Sequence, residues 1–169
     1  MYAFGMKVRD YECDIQGVVN NANYQHYMEH ARHEFLESLG VSFGELHDKG
    51  IDLMVSKITI EYKRPLRGSD RFEVRINMLR KGAKLIIKQD IYNLADEVLS
   101  TKGEVEVICL DNGRLTRGEI FDELFKDYFV HSENHRSTMV TSIMVYDSVN
   151  PVLRKKILNY RYFKSFRFM

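Results

Sequence analysis

The sequence predicts an α+β fold in which one long helix packs on a curled antiparallel sheet. Three observations carry this. Tyr24, Tyr27, Met28, Ala31, Phe35 and Leu39 recur at helical spacing and form a single apolar stripe. Four later runs between Ile51 and Cys109 instead alternate apolar with polar residues, the period of half-buried strands. Turn-like clusters separate those runs, and short connections favour antiparallel neighbours.

In chain order, Tyr2, Phe4, Met6 and Val8 alternate as an opening strand. Gly17 lies in the link to the helix. Asn20, Asn21 and Asn23 stand at the helix start, where a short amide side chain can accept from unpaired first-turn N–H groups. Gly40 ends the helix. Phe43 and Leu46 suggest a short second helix before Gly50. The strand runs follow: Ile58 to Tyr62, Phe72 to Met78, Leu85 to Ile91 and Leu99 to Cys109. Their separators are Arg67-Gly68-Ser69-Asp70, Lys81-Gly82, Asn93 to Glu97 and Asp111-Asn112-Gly113. Ile120, Phe121, Leu124, Phe125 and Tyr128 predict a closing amphipathic helix from about Gly118 to Phe129.

The organised domain therefore spans residues 1–130, and 131–169 form a basic C-terminal extension of unknown structure. That extension carries seven Lys or Arg against two acids, whereas the body carries 18 bases and 22 acids. Its ending, ILNYRYFKSFRFM, interleaves bases with aromatics. It reads as an appended helix or disordered tail before it reads as a nucleic-acid or membrane contact, so neither partner is expected. Apolar residues make up 44% and charged residues 29% of the 169, which excludes wholesale disorder. Cys13 and Cys109 do not make a disulfide framework, no apolar run approaches a membrane span, and no leader pattern opens the chain. A cytoplasmic location is expected.

Asp14 is the leading chemical candidate, because it precedes a helix start whose donors favour negative charge. A turn or capping role is the alternative. His26-Tyr27-Met28-Glu29-His30 matches H-x-x-E-H, an inverted zinc-peptidase motif, and His33 extends the row. At about 100° per residue those histidines fall opposite the apolar stripe, facing solvent with no cleft around them. A zinc site is not expected. Glu29 and Arg32 are spaced for a surface ion pair, Cys13 reads as a small buried hydrophobe, and Tyr24 as core or pocket wall.

Taken together, Arg9, Asp14, Gly17, Val19, Asn23-Tyr24, Ala31-Arg32 and Arg64-Pro65 resemble the signature of hot-dog fold acyl-CoA thioesterases, specifically the 4-hydroxybenzoyl-CoA thioesterase family. The resemblance covers residues 1–130. It implies a hot-dog fold and hydrolysis of an acyl-CoA or acyl-carrier-protein thioester, without a metal or redox cofactor. Asp14 would act as nucleophile or general base, and the Asn21 backbone amide would polarise the carbonyl. Gly17, Val19, Asn20 and Tyr24 would border the substrate, with Arg80, Lys81 and Lys84 on the nucleotide of coenzyme A; a solvated hairpin is the alternative for these three. Asn20-Asn21-Ala22 departs from the aromatic residues of many relatives toward the Val-Asn-Asn run of plant-type acyl-carrier-protein thioesterases, which leaves acyl group and carrier open. The resemblance also implies a homodimer or homotetramer. A non-catalytic acyl-CoA binding or sensing module is the competing function.

Overall fold

The structure is a computed structural model that describes residues 1–129. In chain order the elements are β1 (Tyr2–Lys7), α1 (Asn21–Ser38), α2 (Phe43–Asp48), β2 (Ile51–Tyr62), β3 (Arg71–Lys81), β4 (Lys84–Asn93), β5 (Val98–Asp111), β6 (Arg114–Leu115) and α3 (Glu119–Phe125). Single 3-10 turns occupy Asp10–Glu12 and Lys126–Tyr128. The reading of residues 131–169 lies outside the described residues.

Among the described residues the named strands pair antiparallel, in the order β1-β3-β4-β5-β2, and β6 adds a short pairing to β5. α1 lies along the concave face. Tyr24, Met28, Ala31 and Phe35 are buried against Phe72, Val74, Ile76, Ile91 and Val105. α3 closes one end, with Phe125 and Tyr128 reaching the Phe35 ring at 6.1 and 5.0 Å between centroids.

The start and stop of α1 follow from its sequence. Asn20 is the N-cap, its side chain accepting from the Ala22 amide at 3.0 Å. At the other end the Gly40 amide donates to Glu37 O at 2.8 Å and the Val41 amide to Leu36 O at 3.0 Å. This crossed pair needs a left-handed residue, supplied by Gly40 at φ 69°.

One expected neighbour relation differs. The short connection between β2 and β3 predicts a hairpin, yet β2 pairs with β5 at the opposite edge. Residues 63–70 carry the chain across the start of α1 instead. The Leu66 amide there donates to the Tyr24 hydroxyl at 2.9 Å, and Leu66 O accepts from the Val19 amide at 2.9 Å. Tertiary partners override what connection length alone suggests. β2 is thereby an edge strand with a register shift between Val55 and Lys57, and Met54–Lys57 are exposed.

Candidate active site

The loop from β1 to α1 is a tight hairpin. Cys13 bridges Val19 in antiparallel sense, the Asp14 amide donates to Val18 O at 2.9 Å, and the Gly17 amide donates to Asp14 O at 2.9 Å. Gly17 sits at φ 73°, the left-handed conformation that completes such a loop. A Cβ added there would meet nothing within 4 Å, so the backbone conformation and not a close contact calls for glycine. A second bridge, Val18 to Arg67, backs the hairpin with the β2–β3 connection.

Asp14 is half-buried on this loop, six residues before the N-cap of α1. Its Oδ1 accepts from the Gln16 amide at 2.8 Å; among the described residues no donor meets Oδ2. At the helix start, Asn20 Oδ1 takes the Ala22 amide and Asn20 O takes the Asn23 amide at 2.9 Å. No hydrogen bond of the Asn21 amide occurs among the described residues, leaving it as a first-turn donor. The Asn21 carbonyl accepts from the Tyr62 hydroxyl at 3.1 Å. Asp14, Gly17, Val19, Asn20 and Asn21 thus occupy one hairpin–helix junction.

Glu12 joins the two sides of that junction, a role sequence reasoning missed. Its carbonyl accepts from the Asn20 amide at 2.9 Å and from Asn23 Nδ2 at 2.7 Å. Its buried carboxylate accepts from the Tyr27 hydroxyl and the Arg9 amide, both at 2.7 Å, and from Arg9 Nη1 at 3.3 Å. Burial, and next the hydrogen bond to Glu12, push the Tyr27 hydroxyl well above the usual tyrosine range. The signal was indirect: a buried tyrosine requires a partner for its hydroxyl, and 15 residues upstream stood an acid.

Tyr24 is 3% exposed and belongs to the core, with its hydroxyl engaged by Leu66 and its ring in an edge-on contact with Tyr62 at 5.4 Å. Arg80, Lys81 and Lys84 are not gathered with Asp14 within one chain. They lie at the β3–β4 turn, the far end of a strand whose first residue, Arg71, pairs with Lys7. At about 3.4 Å per residue the strand separates the two ends by roughly 30 Å. Arg80 donates to Asp122 Oδ1 at 3.1 Å, Arg117 O at 3.0 Å and Lys84 O at 3.4 Å, and lies over the Phe121 ring at 5.3 Å. Lys84 pairs with Glu106 at 2.5 Å.

Two readings of α1 need correction. His26 and His30 are exposed, as helical geometry predicts, but a cleft does adjoin them: with Phe4, Met6, Tyr11 and Tyr27 they line a crevice of about 860 Å3 between β1 and α1. The cause is β1, which folds along that flank of the helix and brings the Phe4 ring edge-on to His30 at 5.2 Å. His33 lies elsewhere, against the Phe43 ring at 4.8 Å. Among the described residues no group of three or more His, Cys, Asp or Glu could hold a metal ion. Arg32 does not form the expected surface pair with Glu29. It turns inward and donates to Gln89 Oε1 at 2.7 Å, because β4 presents an amide beneath that flank of the helix.

Comparison with known proteins agrees with this architecture. A model of the Thioesterase-like superfamily matches residues 8–149. The chloroplastic acyl-acyl carrier protein thioesterase ATL3 of Arabidopsis thaliana is 40% identical over 110 residues, covering 63% of this chain and 57% of that protein. The chain therefore spans little more than half the length of that relative. The acyl-CoA thioester hydrolase YbgC of Escherichia coli is 31% identical over 112 residues, or 66% of this chain and 83% of YbgC. A solved structure of a hypothetical protein from Aquifex aeolicus superposes with TM-score 0.67 at 28% identity, covering 73% of this chain and 99% of that one. In no described helix is there a stretch long and apolar enough to cross a membrane. A helix cradled in a curled antiparallel sheet, matched by a family model over most of its length, places this chain in the hot-dog Thioesterase-like superfamily.

Proposed function

We propose that the chain hydrolyses the thioester of an acyl group carried on coenzyme A or on acyl carrier protein. The observation that carries this reading is the junction itself: Asp14 stands on a hairpin tied to the start of α1, where the Asn21 amide has no hydrogen bond among the described residues. The thioester oxygen would take the Asn21 amide at the positive end of the helix, a fixed donor that needs no reorganisation as charge builds. Asp14 then has two balanced courses. Its carboxylate attacks the carbonyl carbon and expels thiolate, and water cleaves the resulting anhydride to restore the acid. Alternatively it takes a proton from water, which attacks directly, and the proton passes to the departing thiolate. Water is the sole co-reactant in either course. The names of the plant and bacterial relatives favour both carriers, and each presents the same bond.

Replacing Asp14 with Asn should lower turnover at least about a hundredfold on a panel of thioesters read with a thiol-detecting reagent. Full turnover in that variant, with the fold intact by circular dichroism, would defeat the proposal. A second reading, a non-catalytic acyl-thioester module, draws on one observation: Gln16 already holds Asp14 Oδ1, as in an ordinary turn. Tight binding without thiol release would favour it. The Lys81 side chain makes no hydrogen bond or close ion pair among the described residues, its charge reaching only as far as that of Glu106, and it is the member of the β3–β4 trio with a cation to offer a phosphate. A second copy of the chain along β2 would cover exposed Met54 and Val55 and guard an open sheet edge, giving a homodimer or homotetramer. Sedimentation at working concentration tests this, and a monomer there would contradict it.

A further inference from the structure

Glu12 is a buried acid that the proposed chemistry does not use, and its contacts converge on the two halves of the site. From one residue, the side chain reaches α1 at Tyr27 while the main chain reaches the helix start at Asn20 and Asn23. Glu12 lies two residues before Asp14, and Asn20 immediately precedes Asn21. The same residue therefore fixes the strand that delivers the acid and the turn that delivers the amide. A carboxylate that is 7% exposed carries a large desolvation cost, offset here by three donors: the Tyr27 hydroxyl, the Arg9 amide and the Arg9 guanidinium. Tyr27 reaches it from within the core, its ring packed at 4.7 Å from Phe72 and 6.1 Å from Tyr24. The acceptor thus rests on a rigid support.

We infer that Glu12 and Tyr27 form a positioning pair that sets Asp14 against the Asn21 amide. The inference rests on the thioesterase reading above. Displacements of about 1 Å in reacting groups cost on the order of a hundredfold in rate, so the pair acts on turnover while leaving substrate affinity alone. Tyr27→Phe keeps the ring and its packing and removes one donor. Glu12→Gln keeps the side-chain length and removes the charge.

Each variant is compared with the parent and with Asp14→Asn for kcat and KM on acyl-CoA, and for amide hydrogen exchange at Asn20. The expected result is a tenfold to hundredfold fall in kcat for Tyr27→Phe and for Glu12→Gln, with KM within about twofold. Exchange at Asn20 should quicken at least about tenfold, and the double variant should be no slower than the worse single one, as for residues acting as a unit. Should Glu12→Gln fail to fold, Tyr27→Phe carries the test, since its core packing is unchanged. Normal kcat in Tyr27→Phe beside an inactive Asp14→Asn would overturn the inference alone. Full turnover in Asp14→Asn would remove the thioesterase reading and the inference with it. A lowered melting point with kcat per folded molecule unchanged would make the pair structural and also overturn it.

Discussion

Gln89 offers a quantitative test of how α1 is held in the sheet. It is fully buried on β4, accepts from Arg32 Nη1 at 2.7 Å and donates from Nε2 to Met28 O at 2.8 Å. Burial is the main influence on Arg32, lowering its pKa, with the Glu29 charge opposing. Gln89→Leu keeps approximate volume but leaves a partly buried guanidinium facing a hydrocarbon. Losing an acceptor for a charged donor costs about 1.5–3 kcal/mol, whereas removing both partners of a hydrogen bond can be nearly neutral. The single variant should lose about 2 kcal/mol, or roughly 6 °C in Tm for a chain of this length. Adding Arg32→Met should recover about half or more of that loss. The assay is urea unfolding followed by circular dichroism at one protein concentration, for parent, both singles and the double. A Gln89→Leu midpoint equal to that of the parent, or a double variant weaker than the sum of the singles, would refute the account.

Three further predictions follow from local geometry. A Cβ at Gly103 would lie 2.6 Å from Met28 Cε and 2.9 Å from Gln89 O, and the backbone contact cannot be relieved by a rotamer change, so Gly103→Ala should cost about 1–3 kcal/mol in the same unfolding assay. Asn20→Ala should cost about 1 kcal/mol through loss of the α1 cap, with Asn20→Asp close to parent in thermal denaturation. His47 Nδ1 lies 2.7 Å from Asp52 Oδ1, and this hydrogen bond, followed by the Asp52 charge, raises the histidine pKa above its ordinary value. A raised folded-state pKa contributes stability that is fully present below the unfolded-state value and is lost as pH rises through the folded-state one. Measured from about pH 5.5 to 9, the stability difference between parent and His47→Gln should therefore shrink with rising pH, and Asp52→Asn should abolish the trend.

The parts of this fold that sequence made legible are those where one periodicity governs. Along α1 the stripe at Tyr24, Met28, Ala31 and Phe35 matches the buried face, and the alternation of Phe72, Val74, Ile76 and Met78 matches the inward face of β3. β2 was harder to read, because at an edge with a register shift neither face of Met54–Lys57 is covered and alternation loses its meaning. Its pairing with β5 depends on contacts between residues about 40 to 60 apart in sequence. The Asp14 hairpin was legible through Gly17 and the asparagines, whose conformational preferences are local. Glu12 was not, since nothing local pairs it with Tyr27; a 3-10 turn at Asp10–Glu12 rotates it inward from an otherwise polar stretch. The crevice beside His26 and His30 was not legible for a related reason: helical geometry gives their outward direction, which the structure keeps, yet it says nothing of a strand folding up beside them.

Arg80 ties α3 to the sheet through several polar contacts at once. Its Cζ lies 5.3 Å from the centre of the Phe121 ring while its nitrogens reach Asp122, Arg117 O and Lys84 O, so a single guanidinium links the last described helix and its lead-in loop to β3. Lysine would keep the charge yet lack both the plane and the fork. A substitution usually counted as conservative would here remove polar ties between α3 and the sheet.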